Sequence, residues 1–226
     1  MTWRSRRGVA STLLAGALAA AVAAPAAAAE LSGRVTLVEG RKAATGADAA
    51  VVWFVPDARR PPPPAGSFVM QTRNKRFEPR VLVVPVGSSV RFPNLDPILH
   101  NVFSVSGGNS FDLGLLGKGE GGAMRFGEAG VVRVFCNVHQ RMAAYVVVVD
   151  TPFYRSPDAA GRFHLGGLPA GPGQLVVWHE RAEPVVRRVD PAAGPVSVTL
   201  ELTRPLVPLH NNKFGRPYER NRRDRY

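Results

Sequence analysis

Phe135-Cys136-Asn137-Val138-His139-Gln140-Arg141-Met142 holds the single cysteine of a 226-residue chain, with a histidine three residues on and a methionine three beyond that. A thiolate, an imidazole and a thioether in one short loop form a soft donor set. Thiolate and thioether ligands favour Cu(I), and two imidazoles, one thiolate and a long axial thioether make a copper site for electron transfer. The second imidazole must come from elsewhere. Phe92-Pro93-Asn94-Leu95-Asp96-Pro97-Ile98-Leu99-His100-Asn101-Val102-Phe103 supplies it in His100.

Working outward, the loop lies between two strand-like runs. Gly130-Val131-Val132-Arg133-Val134-Phe135 delivers Cys136, and Ala143-Ala144-Tyr145-Val146-Val147-Val148-Val149 follows Met142. Short valine-rich runs between Gly and Pro signals recur along the chain, with 23 Gly and 20 Pro in all, and this pattern predicts an all-β protein. A lone cysteine excludes an internal disulfide and calls for another explanation in an exported protein. Copper ligation is that explanation here. His100, Cys136 and His139 are the expected strong ligands and Met142 the axial one. His164, His179 and His210 lack matching partners and read as a strand position facing away from the core, a strand end and part of the tail. Ser106 to Gly122, with seven glycines, reads as a long irregular stretch.

Phe77-x-Pro79, the run Val81–Val86, Gly87, Val90-x-Phe92-x-Asn94, His100-Asn101 and Cys136-x-x-His139-x-x-Met142 occur in an order that resembles plastocyanin-like cupredoxins. The short Cys-x-x-His-x-x-Met spacing is closer to amicyanin than to plastocyanin. The resemblance implies a Greek-key sandwich over about 67–150 with one type 1 copper. It also implies that Asn101 supports the cysteine sulfur and joins the two ligand loops. Gln140 and Arg141 fill the short loop, which puts a cation beside the histidine expected to pass electrons. The rest of the chain resembles periplasmic methylamine-utilisation-like proteins, in which such a domain adjoins a small β-sandwich.

That second unit resembles a transthyretin-like, carboxypeptidase-regulatory-like sandwich. Its later strands read as Gln174–Trp178 and Val196–Leu202. Its opening strands look like Gly33-x-Val35 and Ala50–Val55, on the far side of the copper domain. The expected organisation is therefore a signal over 1–29, opening strands and a proline-rich linker over 30–66, a copper domain over 67–150, the remainder of the sandwich over 151–203 and a basic tail over 204–226. In this reading the copper domain is inserted in a loop of the sandwich. Three consecutive pieces are the simpler alternative.

Arg4, Arg6 and Arg7, the alanine-rich run after them and Ala27-Ala28-Ala29 read as a cleaved export signal. Ser5-Arg6-Arg7 resembles a twin-arginine signal in part, so either export route stays open. A periplasmic protein without stable membrane insertion is expected. Formal net charge is +12, but the signal and the tail hold much of it, and 204–226 has seven basic and two acidic side chains. This is not the distribution of a nucleic-acid-binding face. The tail is expected to be solvated, as charge runs without a hydrophobic period usually are. The chain is expected to carry single electrons to a periplasmic redox protein and to do no substrate chemistry of its own. A copper carrier or an interaction module is the alternative; Met70 and Met124 are scattered and form no methionine-rich tract.

Overall fold

The computed structural model describes residues 28–58 and 63–218. Residues 1–27 of the expected export signal, the start of the proline-rich linker and the last eight residues lie outside the described residues. The chain is all-β, with several sheets and three short 3-10 turns among the described residues. No described helix is long and apolar enough to cross a membrane.

Two of the sheets enclose one core. In the first, Ala29–Glu39 pairs antiparallel with Arg162–Leu168 on one side and parallel with Val196–Glu201 on the other. In the second, Val51–Pro56 lies between Tyr154–Arg155 and Gly173–Trp178, with Val185–Val189 beyond. The strands alternate as half-buried strands do. Leu31, Val35 and Leu37 of the first strand meet Phe54, Leu175 and Val177 from the facing sheet. Segments before residue 57 and after residue 153 thus share both sheets, and 67–149 runs out and back between them.

The intervening residues build a second core. A five-stranded sheet runs in the order Phe111–Leu116, His100–Ser104, Gly130–Phe135, Ala143–Val149 and Val81–Pro85. A three-stranded sheet of Gly121–Arg125, Ser89–Pro93 and Ser67–Val69 supplies Val90 and Phe92 to the same core, which contains Cys136 and Met142.

Ala143–Val149 is buried at every position. Successive side chains of a strand point to opposite faces. Ala144, Val146 and Val148 enter the core that contains Cys136 and Met142, while Tyr145, Val147 and Val149 pack against Val51 and Trp178 of the other unit. The run lacks polar alternation because both of its faces are covered. Arg80 locks this seam. Its guanidinium reaches Glu180 at 2.7 Å and donates to the Ala143 carbonyl at 2.9 Å and to the Leu206 carbonyl.

Two expectations need correction. Ser106–Gly122 is not one irregular stretch. It contains Phe111–Leu116 and the start of Gly121–Arg125. Its glycines serve the strand: Gly114, at φ 73°, sits where the pairing with His100–Ser104 shifts register between Asp112 and Leu115. Nor is the tail a solvated run over its described part. Up to Tyr218 it lies across the end of the molecule that carries the ligand loops. Val207 packs on the cluster of Phe103, Phe135 and Ala143, and the His210 ring stacks on Phe135 at 3.9 Å between centroids. Apolar and aromatic side chains make these contacts, which a reading by charge passes over.

Candidate metal centre

Cys136 follows directly on the strand Gly130–Phe135, and the chain turns back at once. The Met142 amide donates to the His139 carbonyl at 2.9 Å, and the Cys136 amide donates to the Met142 carbonyl at 3.2 Å. These two bonds close the loop, so Cys136, His139 and Met142 are placed together. His100 opens the strand His100–Ser104 beside it.

The loop before His100 is fixed by Asn94, which is fully buried and uses both ends of its amide. Its Oδ1 accepts from Thr72 Oγ1 and the Asp96 amide, and its Nδ2 donates to the Ile98 and Leu116 carbonyls. The result aims His100 inward. His100 Nδ1 lies 3.8 Å from Cys136 Sγ and 3.1 Å from His139 Nδ1, and His139 Nδ1 lies 3.9 Å from Cys136 Sγ. One donor atom from each of the three residues falls within 4.8 Å of the others. Met142 is buried in the core cluster that holds Cys136.

The donors fit a bound ion. A first-row ion such as zinc sits about 2.0–2.1 Å from imidazole nitrogen and about 2.3 Å from thiolate sulfur. With these bond lengths and angles of about 109–120° at the ion, donors stand roughly 3.3–3.8 Å apart, and the observed 3.1, 3.8 and 3.9 Å lie within about 0.2 Å of that range. Two neutral imidazoles and one soft thiolate suit copper, and the neighbouring thioether adds to that preference.

Asp96 is the residue that sequence reasoning missed. Its carboxylate accepts from His100 Nε2 at 2.8 Å and from the amides of Asn74 and Lys75 at 2.7 and 2.9 Å. Burial alone would raise its pKa, but the bonds from Lys75, His100 and Asn74 outweigh that and hold the carboxyl below its ordinary value. An ionised acceptor at Nε2 keeps the ring proton there, and Nδ1 turns its lone pair to the centre. The available signal was an acidic residue four positions before a ligand histidine.

Asn101 differs in detail from what the resemblance implies. Its backbone N–H, with those of His139 and Val138, points to the Cys136 sulfur. Its side-chain amide donates to Asp112 and to the Gly114 carbonyl, and so ties His100–Ser104 to its neighbouring strand. Burial pushes the Cys136 thiol up, and the three amides only partly offset this. A metal cation replacing the thiol proton removes that penalty.

His100 and Cys136 are completely buried, whereas His139 is partly exposed. The described tail covers the flank of the loop. The Lys213 amide donates to Asn137 Oδ1 at 3.0 Å and the Tyr218 hydroxyl to the Cys136 carbonyl at 3.3 Å. Burial and the nearby Cys136 push the Tyr218 phenol up to about 12, so it stays a donor at neutral pH. The other histidines stand apart. His164 is on an exposed strand face beside Ser32, and His179 is buried and accepts from the Arg181 amide.

No protein-family model matches the chain, and no curated protein matches it. Among solved structures it is similar to oxidized amicyanin carrying a methionine-to-lysine substitution, at 27% identity over 37% of this chain and 82% of that one, with a TM-score of 0.35. A reduced Cu(I) form of amicyanin at pH 4 matches at 24% identity over 43% of this chain and 98% of that one, with a TM-score of 0.35. A purple cupredoxin from Nitrosopumilus maritimus matches at 24% identity over 37% of this chain and 99% of that one, with a TM-score of 0.33. Overlap at this level assigns no function to the chain.

Proposed function

We propose that the chain is an exported, periplasmic carrier of single electrons, with one type 1 copper held by His100, Cys136 and His139 and weakly by Met142. The observation that carries this reading is the convergence of two imidazole nitrogens and one thiol within 4.8 Å, two of them sealed from solvent. Bound copper supplies the one-electron couple. The protein's part is to keep the donors in place whatever the oxidation state. Asn94 and Asp96 fix the His100 loop, and the two backbone bonds across 136–142 fix the other. Burial of Cys136 and His100 excludes water that would otherwise compete for the ion.

His139, the one partly exposed donor, is the exit for the electron. The alanine-rich, arginine-led N-terminus supports export to the periplasm, and an unidentified redox protein there is the partner. The ligand spacing supports a cupredoxin-like assignment for 67–150, and the sheets shared by 29–56 and 154–201 support a transthyretin-like one for the other unit. The protein loaded with one equivalent of Cu(II) should take up one electron per chain from ascorbate, return it to hexacyanoferrate(III) and keep its copper throughout. Loss of Cu(I) to a chelator on the first reduction would overturn the carrier-of-electrons reading in favour of a carrier of copper.

A further inference from the structure

Beside the ligand loop lies an open groove of about 910 Å³. His139 and Met142 of the ligand loop and the hairpin tip Asn74-Lys75-Arg76 line it together. Arg141, the cation of the short ligand loop, stands on its rim. Lys75, Arg76 and Arg141 are all exposed, and among the described residues none of them forms a salt bridge.

The carboxylates nearby are committed elsewhere. Asp96 turns inward to the hairpin amides and His100, and Glu180 is taken by Arg80. Among the described residues Glu78 is the only acidic one lining the groove, and its Oε2 accepts from Gln71. Lys75, Arg76 and Arg141, faced in the groove by the single carboxylate of Glu78 among the described residues, leave net positive charge around one partly exposed metal ligand. They gain when opposite charge is brought to them, which favours encounter and register more than raw affinity.

We infer that this groove is the docking surface of the electron-transfer partner, and that the partner is a protein presenting a cluster of carboxylates. The inference rests on the electron-carrier reading for what passes at His139. The acidic chemistry of the occupant follows from the groove alone. Docking here places the acidic face against the histidine through which the electron leaves.

The test separates the two. Poly-L-glutamate serves as the acidic probe and is titrated into the metal-free full chain at low salt, with backbone amide shifts recorded. Shifts should concentrate at Lys75, Arg76, His139 and Arg141 and vanish as salt is raised. The triple variant Lys75→Ser, Arg76→Ser, Arg141→Ser should bind about tenfold more weakly. Arg34→Ser, Arg155→Ser, Arg187→Ser removes the same charge from exposed positions of the other unit and should change binding little. Equal losses in both variants, or shifts centred elsewhere, would overturn the inference. So would phosphate binding at the groove as tightly as poly-L-glutamate, which would make it a small-anion site.

With the copper-loaded, reduced protein, one electron passes to hexacyanoferrate(III) or to tris(phenanthroline)cobalt(III), giving the iron(II) or cobalt(II) complex. The groove variant should slow the first oxidant and speed the second. If the protein binds poly-L-glutamate at the groove but has no redox couple, the groove stands and the electron-carrier reading fails.

Discussion

Replacing Asp96 with alanine removes one carboxylate that holds three donors, and the consequence divides into two measurable parts. The His100 ring is fully buried, so its Nε2–H loses the carboxylate that accepts from it, and no solvent reaches it as a replacement. An orphaned buried donor costs about 1–3 kcal/mol. The Asn74 and Lys75 amides belong to exposed residues in a turn with φ of 52° and 56°. Water can reach them, so each lost bond costs only about 0.5–1 kcal/mol. The metal-free protein should therefore lose about 2–5 kcal/mol. Freed to rotate, His100 should also bind metal about 10–100-fold more weakly, the usual effect of removing a partner of a ligating histidine. Asp96→Asn keeps one acceptor oxygen but turns an NH2 toward donors, and should fall between the two. Urea titration of the metal-free full chain, followed by the fluorescence of Trp53 and Trp178, reads the first effect, and chelator competition reads the second. An alanine variant with an unchanged urea midpoint and metal affinity within about threefold of the parent would refute the claim that Asp96 positions His100.

Arg80→Ala should leave the Glu180 carboxylate, 5% exposed, unpaired at the seam between the two units. Because Arg80 itself is 34% exposed, the cost should be near the low end for a broken buried pair, about 3 kcal/mol, and Glu180→Gln in the same chain should recover part of it in a double-mutant cycle. Gly161→Ala puts a Cβ 2.0 Å from the Val35 carbonyl oxygen at a residue with φ of 77°. A loss of about 2–4 kcal/mol in urea unfolding is expected. Burial against Phe135 lowers the His210 pKa, opposed by its bond to the Pro208 carbonyl and aided by Arg133. The undocked tail therefore binds the proton more readily than the docked one. Docking should be complete above the ordinary value of 6.5 and weaken as pH falls through the lowered one. Protection factors over 205–218, each taken against the intrinsic exchange rate at the same pH, should fall on going from about pH 7.5 to about pH 5, and His210→Phe should abolish that fall.

The ligand loop was legible because Cys136, His139 and Met142 are chemically uncommon and lie within one turn of chain. His100 was legible because the loop needed a partner imidazole and His100-Asn101 falls in its place in the ordered cupredoxin-like features. Asp96 was not, since a carboxylate in a Pro-rich loop is ordinary, and its role appears only when the hairpin at Asn74-Lys75 folds back over it. Strand runs such as Val51–Pro56 and Val196–Glu201 show their β-branched pattern directly. Their partners do not, because Ala29–Glu39 pairs in parallel with Val196–Glu201 across a separation that local pattern does not encode. Val185–Val189 was passed over because two arginines interrupt it, although an edge strand with one solvated face tolerates them. In the tail the seven basic residues drew attention away from Val207, His210 and Tyr218, which make the contacts.

Cys136, His100 and His139 are proposed to hold copper as a compact, soft-donor centre. Visible and electron-paramagnetic-resonance spectra of the mature protein with one equivalent of Cu(II), beside Cys136→Ser, test it most directly. The account predicts an intense thiolate-to-copper band with narrow copper hyperfine splitting in the parent and neither feature in the variant. Weak colour and ordinary tetragonal copper signals, the same in both proteins, would contradict it.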